Sequence, residues 1–226
     1  MKLWDKGFSI DKQIEKFTVG NDREIDMHIA KYDVQASLAH AIMLSSIGII
    51  TADELKDLKR GLQELAADIE NGTFIIEASF EDVHSKIEWE LTNKLGEVGK
   101  KIHTARSRND QVLVALQLYY KENLSVINDK TKTLFNTLLS LAETHKEALL
   151  PGYTHLQVAM PSSFGLWFSA YAELLIDDVY MLNAVSKVVD QNPLGSAAGY
   201  GSSFPIDREL TTKELNFATL KYNVVA

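Results

Sequence analysis

Between Lys101 and Gln111 the chain reads Lys-Ile-His-Thr-Ala-Arg-Ser-Arg-Asn-Asp-Gln. Arg106 and Arg108 stand two residues apart among hydroxyl and amide side chains. A guanidinium binds a carboxylate through a planar fork, and Ser107 and Asn109 can add short, directional hydrogen bonds. The chemistry open to this set is recognition of a small polyanion. Alone, the same run also reads as a solvated loop with a helix cap. Its company argues otherwise. Gly152-Tyr153-Thr154-His155-Leu156-Gln157 supplies an imidazole, the side chain best suited to moving protons near neutral pH. Asn192-Pro193-Leu194-Gly195-Ser196 opens a stretch, rich in Gly and Ser, whose backbone N–H groups could cradle a carboxylate, and which from composition alone reads equally as a plain loop. In Glu81-Asp82-Val83-His84, Asp82 reads equally as a ligand-facing group or as a helix cap.

The elements that must position these residues are helices. Prolines occur only at 151, 161, 193 and 205, so nothing before residue 151 breaks a helix through a missing N–H. Asn21 or Asp22 can cap a helix through Ile25, Ile29, Val34, Leu38 and Met43, ending near Gly48. Thr51-Ala52-Asp53-Glu54 is a capping box that opens a second, through Leu55, Leu58, Leu62 and Leu65 to Asn71-Gly72. A third runs from about Glu81 to Leu95 and ends at Gly96. From Asn109 to Leu150 there is neither Gly nor Pro, and Val112, Leu116, Tyr120 and Leu124 recur at one-face spacing. A helix over that span is roughly 60 Å long at about 1.5 Å per residue. Another long one spans about Ser162 to Gln191, carries Phe164, Phe168, Tyr171 and Leu175, and has Gly165 as its weak point. Pro151-Gly152 and Pro161 mark the stretch between them as a short connection. Period-two alternation supports no more than a short strand, at Phe74-Ile75-Ile76. The expected class is all-α: a small helical domain over 1–105, then part of a long-helix bundle over 106–226. Helices of that length associate, often between subunits.

Composition narrows the functions. Lys and Arg total 23 against 31 Asp and Glu, a formal charge of −8, which argues against nucleic acid as a partner. Lys100, Lys101, Arg106 and Arg108 then read as a local positive site able to attract an acidic metabolite. With no Cys and no HExxH or paired His, no metal site is expected, and no cofactor. His28, His40 and His145 fall on helices and read as structural or solvated. No apolar run approaches the length of a membrane span, so the expectation is a cytoplasmic protein with no membrane partner.

The three polar segments, in this order, resemble argininosuccinate lyase of the fumarase/aspartase superfamily, whose pattern is close to HTGRSRNDQV, then PGYTHLQ-x-x-QP, then a PLGSGAL-like loop. Glu81-Asp82-Val83-His84 and Asp33-Val34-Gln35-Ala36-Ser37-Leu38-Ala39-His40-Ala41 are similar to the family's EDVH and DIxGSxAHA segments. The likeness runs from about Leu3 to the C-terminus. Ala105 stands where the family usually has Gly, Met160 where it has Gln, and Trp4-Asp5-Lys6-Gly7 where it has WGGRF. The family's substrate-contacting serine near the N-terminus has no clear counterpart at Phe17-Thr18-Val19-Gly20-Asn21.

The resemblance implies cleavage of argininosuccinate to arginine and fumarate, without cofactor, in a homo-oligomer, a tetramer in the full-length enzyme. It implies His155 as an acid/base residue and Thr154, Ser107, Arg108 and Asn109 as substrate contacts, with Asp82, His84 and Gln157 as further candidates. The second proton role belongs in the family to a serine in a motif resembling SSxMPQKKNP, which these 226 residues do not contain. The chain reads as truncated before that loop, and alone it is expected to release no fumarate. The rival enzyme readings are other fumarate-producing lyases: adenylosuccinate lyase, aspartase or fumarase. The rival outside enzymes is a non-catalytic, crystallin-like helical protein.

Overall fold

The structure is a computed structural model, and it describes residues 11–225. The Trp4-Asp5-Lys6-Gly7 segment lies outside the described residues. The helices are α1 (Lys12–Val19), α2 (Asp22–Ile25), α3 (Ala30–Ser46), α4 (Ala52–Glu70), α5 (Val83–Leu95), α6 (Glu97–Lys100), α7 (Arg108–Thr144), α8 (Phe164–Val189) and α9 (Arg208–Glu214). Among the described residues four short strands join them: β1 (Leu149–Thr154), β2 (Gln157–Ser163), β3 (Gln191–Asn192) and β4 (Thr219–Leu220). The expected all-α class holds, and two local expectations do not. Residues 74–76 form no strand; Phe74 and Ile76 are buried as an irregular segment on the core. The connection between the long helices is an antiparallel hairpin, with Leu149 facing Ser163 and Thr154 facing Gln157.

Local chemistry explains most boundaries. Thr51 accepts from the Glu54 N–H while Glu54 accepts from the Thr51 N–H, so both ends of the capping box are made at α4. Asp82 caps α5 by accepting from the Ser85 N–H at 2.7 Å. The helix expected from residue 22 to 48 is interrupted instead. A 3-10 turn at Asp26–His28 separates α2 from α3, and the Asp26 carboxylate accepts from the Val83 N–H at 3.1 Å, tying that break to the start of α5. α7 ends at Thr144, six residues before the expected end, because turns over 145–147 lead into the hairpin.

The chain forms two compact units: residues up to Tyr119 together with those from Asp190 onward, and Tyr120–Val189. The first unit holds the core. Leu58, Leu62 and Leu65 of α4, Ile87 and Leu91 of α5, Met43 and Leu44 of α3, and Val114, Ala115 and Leu118 of α7 are buried in one cluster with Leu194, Leu215 and Phe217. The opening turns of α7 and the C-terminal stretch therefore pack with the short N-terminal helices. In the second unit α8 buries only Gly165 and Ala172. Gly165 is a close-approach position: a Cβ there would lie 2.7 Å from Lys146 Cα and 2.9 Å from Ala142 O.

Candidate active site

α3 brings three polar side chains to one face at spacings of four and three: Asp33, Ser37 and His40, all buried. Asp33 accepts from Gln111 Nε2 at 2.9 and 3.1 Å and lies 3.2 Å from His84 Nδ1. Arg106 donates to Ser37 Oγ at 3.0 Å, and His40 Nε2 meets Thr104 O at 2.8 Å. Burial pushes the Asp33 carboxyl up, but His84, Arg106 and Gln111 outweigh it and hold the group at about 2. Burial, then the Arg106 charge, pull His40 down to about 3 despite its bond to Thr104 O. His103 is lowered by burial first, against the pull of Glu88. A charged layer thus lies under the arginine-rich turn, and α3 is its floor.

Above that layer stand the residues singled out in sequence. Arg108, the first residue of α7, is 3.3 Å from Asp82 Oδ2, donates to Ser85 Oγ at 3.2 Å and donates to Gln111 Oε1 at 3.3 Å. Three partners fix its fork, and its remaining N–H groups are what a ligand could use. Ser107 Oγ accepts from the Asn109 N–H at 3.3 Å, and Asn109 is exposed. An open pocket of about 460 Å³ is lined by Arg108, Asn109, Val112, Ser196, Ala198 and Gly199 among others. The Ala198 N–H has no acceptor among the described residues. A guanidinium, an amide side chain and an open backbone N–H beside aliphatic wall can receive a carboxylate on a short carbon chain, while the Ser196 hydroxyl is spent on Pro193 O at 2.7 Å. The four cations do not act as one positive site: Lys100 pairs with Glu97, Lys101 with Glu54 and Arg108 with Asp82, while Arg106 is buried near Asp33 and Asp110.

Ser107, Arg108, Asn109, Asp82 and His84 are therefore together in the first unit. Thr154, His155 and Gln157 belong to the second, at the tip of the hairpin. His155 and Leu156 form its two-residue turn, both left-handed at φ 52° and 63°, a shape that usually selects Asn or Gly. Leu156 is 99% exposed. Among the described residues no group of three His, Cys, Asp or Glu is placed to hold a metal.

Sequence reasoning missed Asp33 as the partner of both His84 and Gln111, and Ser85 as a partner of Arg108. The signal for Asp33 was present: polar residues at 33, 37 and 40 share one face of a mostly apolar helix.

Long helices carry this pocket at the start of α7, and a family comparison identifies the class. Residues 8–226 match the model described as "Lyase", and the chain belongs to that family. It is 56% identical to the argininosuccinate lyase of Phocaeicola vulgatus and 54% identical to that of Bacteroides fragilis, with 99% of this chain covered in each case. The chain spans about half the length of these curated relatives (50% of each). In fold it is similar to an EDDS lyase solved in complex with formate, with a TM-score of 0.80 at 24% identity over 96% of this chain and 43% of the other.

Proposed function

We propose that the polypeptide to which this chain belongs cleaves argininosuccinate to arginine and fumarate. The observation that carries the reading is the fixed Arg108 fork at the mouth of the pocket shared with Asn109 and the 196–199 backbone; the 54–56% identical argininosuccinate lyases support the choice of substrate.

The reaction removes a proton from carbon beside a carboxylate, which puts a second negative charge on that carboxylate in the transition state. Stabilisation must come from donors already aimed at it. Arg108 needs no reorganisation, because Asp82, Ser85 and Gln111 hold it in place. Ser107, Asn109 and Thr154 serve as further substrate contacts. His155 moves a proton, from the exposed tip of a strained turn, and Gln157 flanks it. Asp82 acts by holding Arg108. His84 stands behind it with Asp33.

α7 is 37 residues long, and helices of that length associate between subunits. We take the site to be completed across copies in a homo-oligomer, a tetramer in the whole enzyme, which acts in the cytoplasm.

The test is fumarate release, followed by absorbance, from the complete polypeptide supplied with argininosuccinate. His155→Asn should lower turnover by about 10²–10⁴, the usual value of a general acid/base. Arg108→Lys should also lower turnover, since a point charge cannot replace the fork aimed at the developing charge. Faster cleavage of adenylosuccinate or aspartate than of argininosuccinate would overturn the substrate assignment, and wild-type turnover by either variant would overturn its role.

A further inference from the structure

We propose that Asp110 is a positioning residue that joins the 107–109 turn to the 193–199 loop, so that the two walls of the pocket hold and yield together. The inference rests on the lyase reading above for its kinetic consequence and on geometry alone for the coupling. Asp110 is fully buried. Its Oδ1 accepts from the Ser107 N–H at 2.9 Å, and its Oδ2 accepts from the N–H groups of both Gly195 and Ala197, each at 2.9 Å. One carboxylate thus satisfies three backbone donors from segments more than eighty residues apart in sequence.

The loop has no regular structure to hold it otherwise. Gly195, Ala197, Gly199, Tyr200 and Gly201 all have positive φ. Its other supports are its own turns, in which the Ser196 N–H donates to Pro193 O and the Gly199 and Gly201 N–H groups donate to Ser196 O, and contacts on the opposite side. Asn192 donates to Thr211 and Thr212 of α9 and accepts from the Leu194 N–H, while Arg208 donates to Leu194 O at 2.9 Å. Asp110 is what fixes the loop to α7. With it in place, the open Ala198 N–H keeps its station opposite Arg108 and Asn109. An amide at position 110 cannot do the same: its NH₂ would face either Ser107 or the Gly195 and Ala197 pair, and buried donors would lose their acceptor.

Amide hydrogen exchange and steady-state kinetics on the complete polypeptide test this. In Asp110→Asn, the Ser107, Gly195 and Ala197 amides should lose protection together, by about tenfold or more, the scale of one buried hydrogen bond. The Leu194 amide, held by Asn192, should keep its protection. The KM for argininosuccinate should rise about tenfold with kcat much less affected, because a loosened wall weakens binding of substrate and transition state alike. Partial loss of fold gives the other pattern, a lower kcat at unchanged KM. Gly195→Ala supplies a second route that leaves Asp110 intact: φ is +92° there and the new Cβ would lie 2.7 Å from Arg208 Cγ. That change should be felt at the Ser107 amide as faster exchange and in KM as a rise. Should Asp110→Asn also release Leu194, Gly195→Ala decides alone. Unaltered Ser107 exchange in Gly195→Ala, or lowered kcat at wild-type KM in both variants, would overturn the proposal. A wild-type polypeptide that leaves argininosuccinate intact sinks the substrate reading and leaves the exchange comparison to decide this one.

Discussion

At the scale of single residues, the layer under the arginine turn makes stability depend on acid. Unfolded, His40 takes up a proton near 6.5, but in place it does so only near 3. Between those values the unfolded chain binds a proton that the folded chain refuses. Stability is therefore intact above about 6.5 and falls as the pH drops toward 3. Asp33 acts lower and in the same direction: its contribution is full above its ordinary 3.8 and is lost as pH falls through about 2. His40 alone should account for about 2 kcal/mol between pH 7 and pH 5. Urea titrations at the two pH values check this, and His40→Gln, which keeps a donor for Thr104 O, should remove most of the difference. An unchanged difference in that variant would assign the slope elsewhere. Ala105 offers a second residue-scale test. It holds φ 58° where the family pattern has Gly, and an L residue in that region costs about 1–2 kcal/mol. Ala105→Gly should raise the unfolding free energy by roughly 1 kcal/mol, less what glycine adds to unfolded-chain entropy; a lower melting temperature would contradict the strain. The resemblance singled out Arg108 and Asn109 as candidates in sequence because their motif is contiguous. It did not find Asp110 as a link between loops, because backbone donors at Gly195 and Ala197 leave no mark on residue type.

At the scale of elements, α4 and α5 were legible to within a residue or two, since their caps are side chains: Thr51 with Glu54, and Asp82. The hairpin was not. Pro151 faces Pro161 across it, and neither proline can donate to the ladder, so the segment reads as a loop until the pairing of its flanks is seen. The break before α3 was hidden for a similar reason. Apolar spacing continues through it, and only the distant Val83 N–H gives Asp26 a reason to leave the helix. Gly165 was read as a weak point in α8, and packing explains why it is there. Its missing side chain admits the backbone at Ala142 and Lys146. Gly165→Ala improves helix propensity yet should destabilise the second unit by about 1–3 kcal/mol through overpacking. Thermal unfolding followed at Trp167 fluorescence would report it, and a gain in stability would mean the approach is looser than these distances.

At the scale of the whole molecule, the long helices are apolar beyond what this chain covers. On α7 the last buried residue is Leu118, although the helix continues to Thr144. Leu174, Tyr180, Met181 and Val188 on α8 are each more than 60% exposed, and Val158 and Met160 on the hairpin likewise. Single exposed apolar side chains are ordinary, but a run along two long helices exceeds what a monomer leaves in water. At about 25 cal/mol per Å² of apolar surface removed from water, burying even a few hundred Å² of these faces against further helices outweighs the entropy of one association step only if several side chains interlock. The spacing on α8 permits that, since Phe164, Phe168, Tyr171 and Leu175 follow one face. The expected outcome is that the purified chain does not run as a monomer at micromolar concentration. Light scattering coupled to gel filtration measures the mass, and a paired substitution such as Leu174→Lys with Met181→Lys should shift it downward without loss of helix content. A monomeric mass for the unaltered chain would mean that these faces stay in water by themselves, and the oligomeric completion of the site would fall with it.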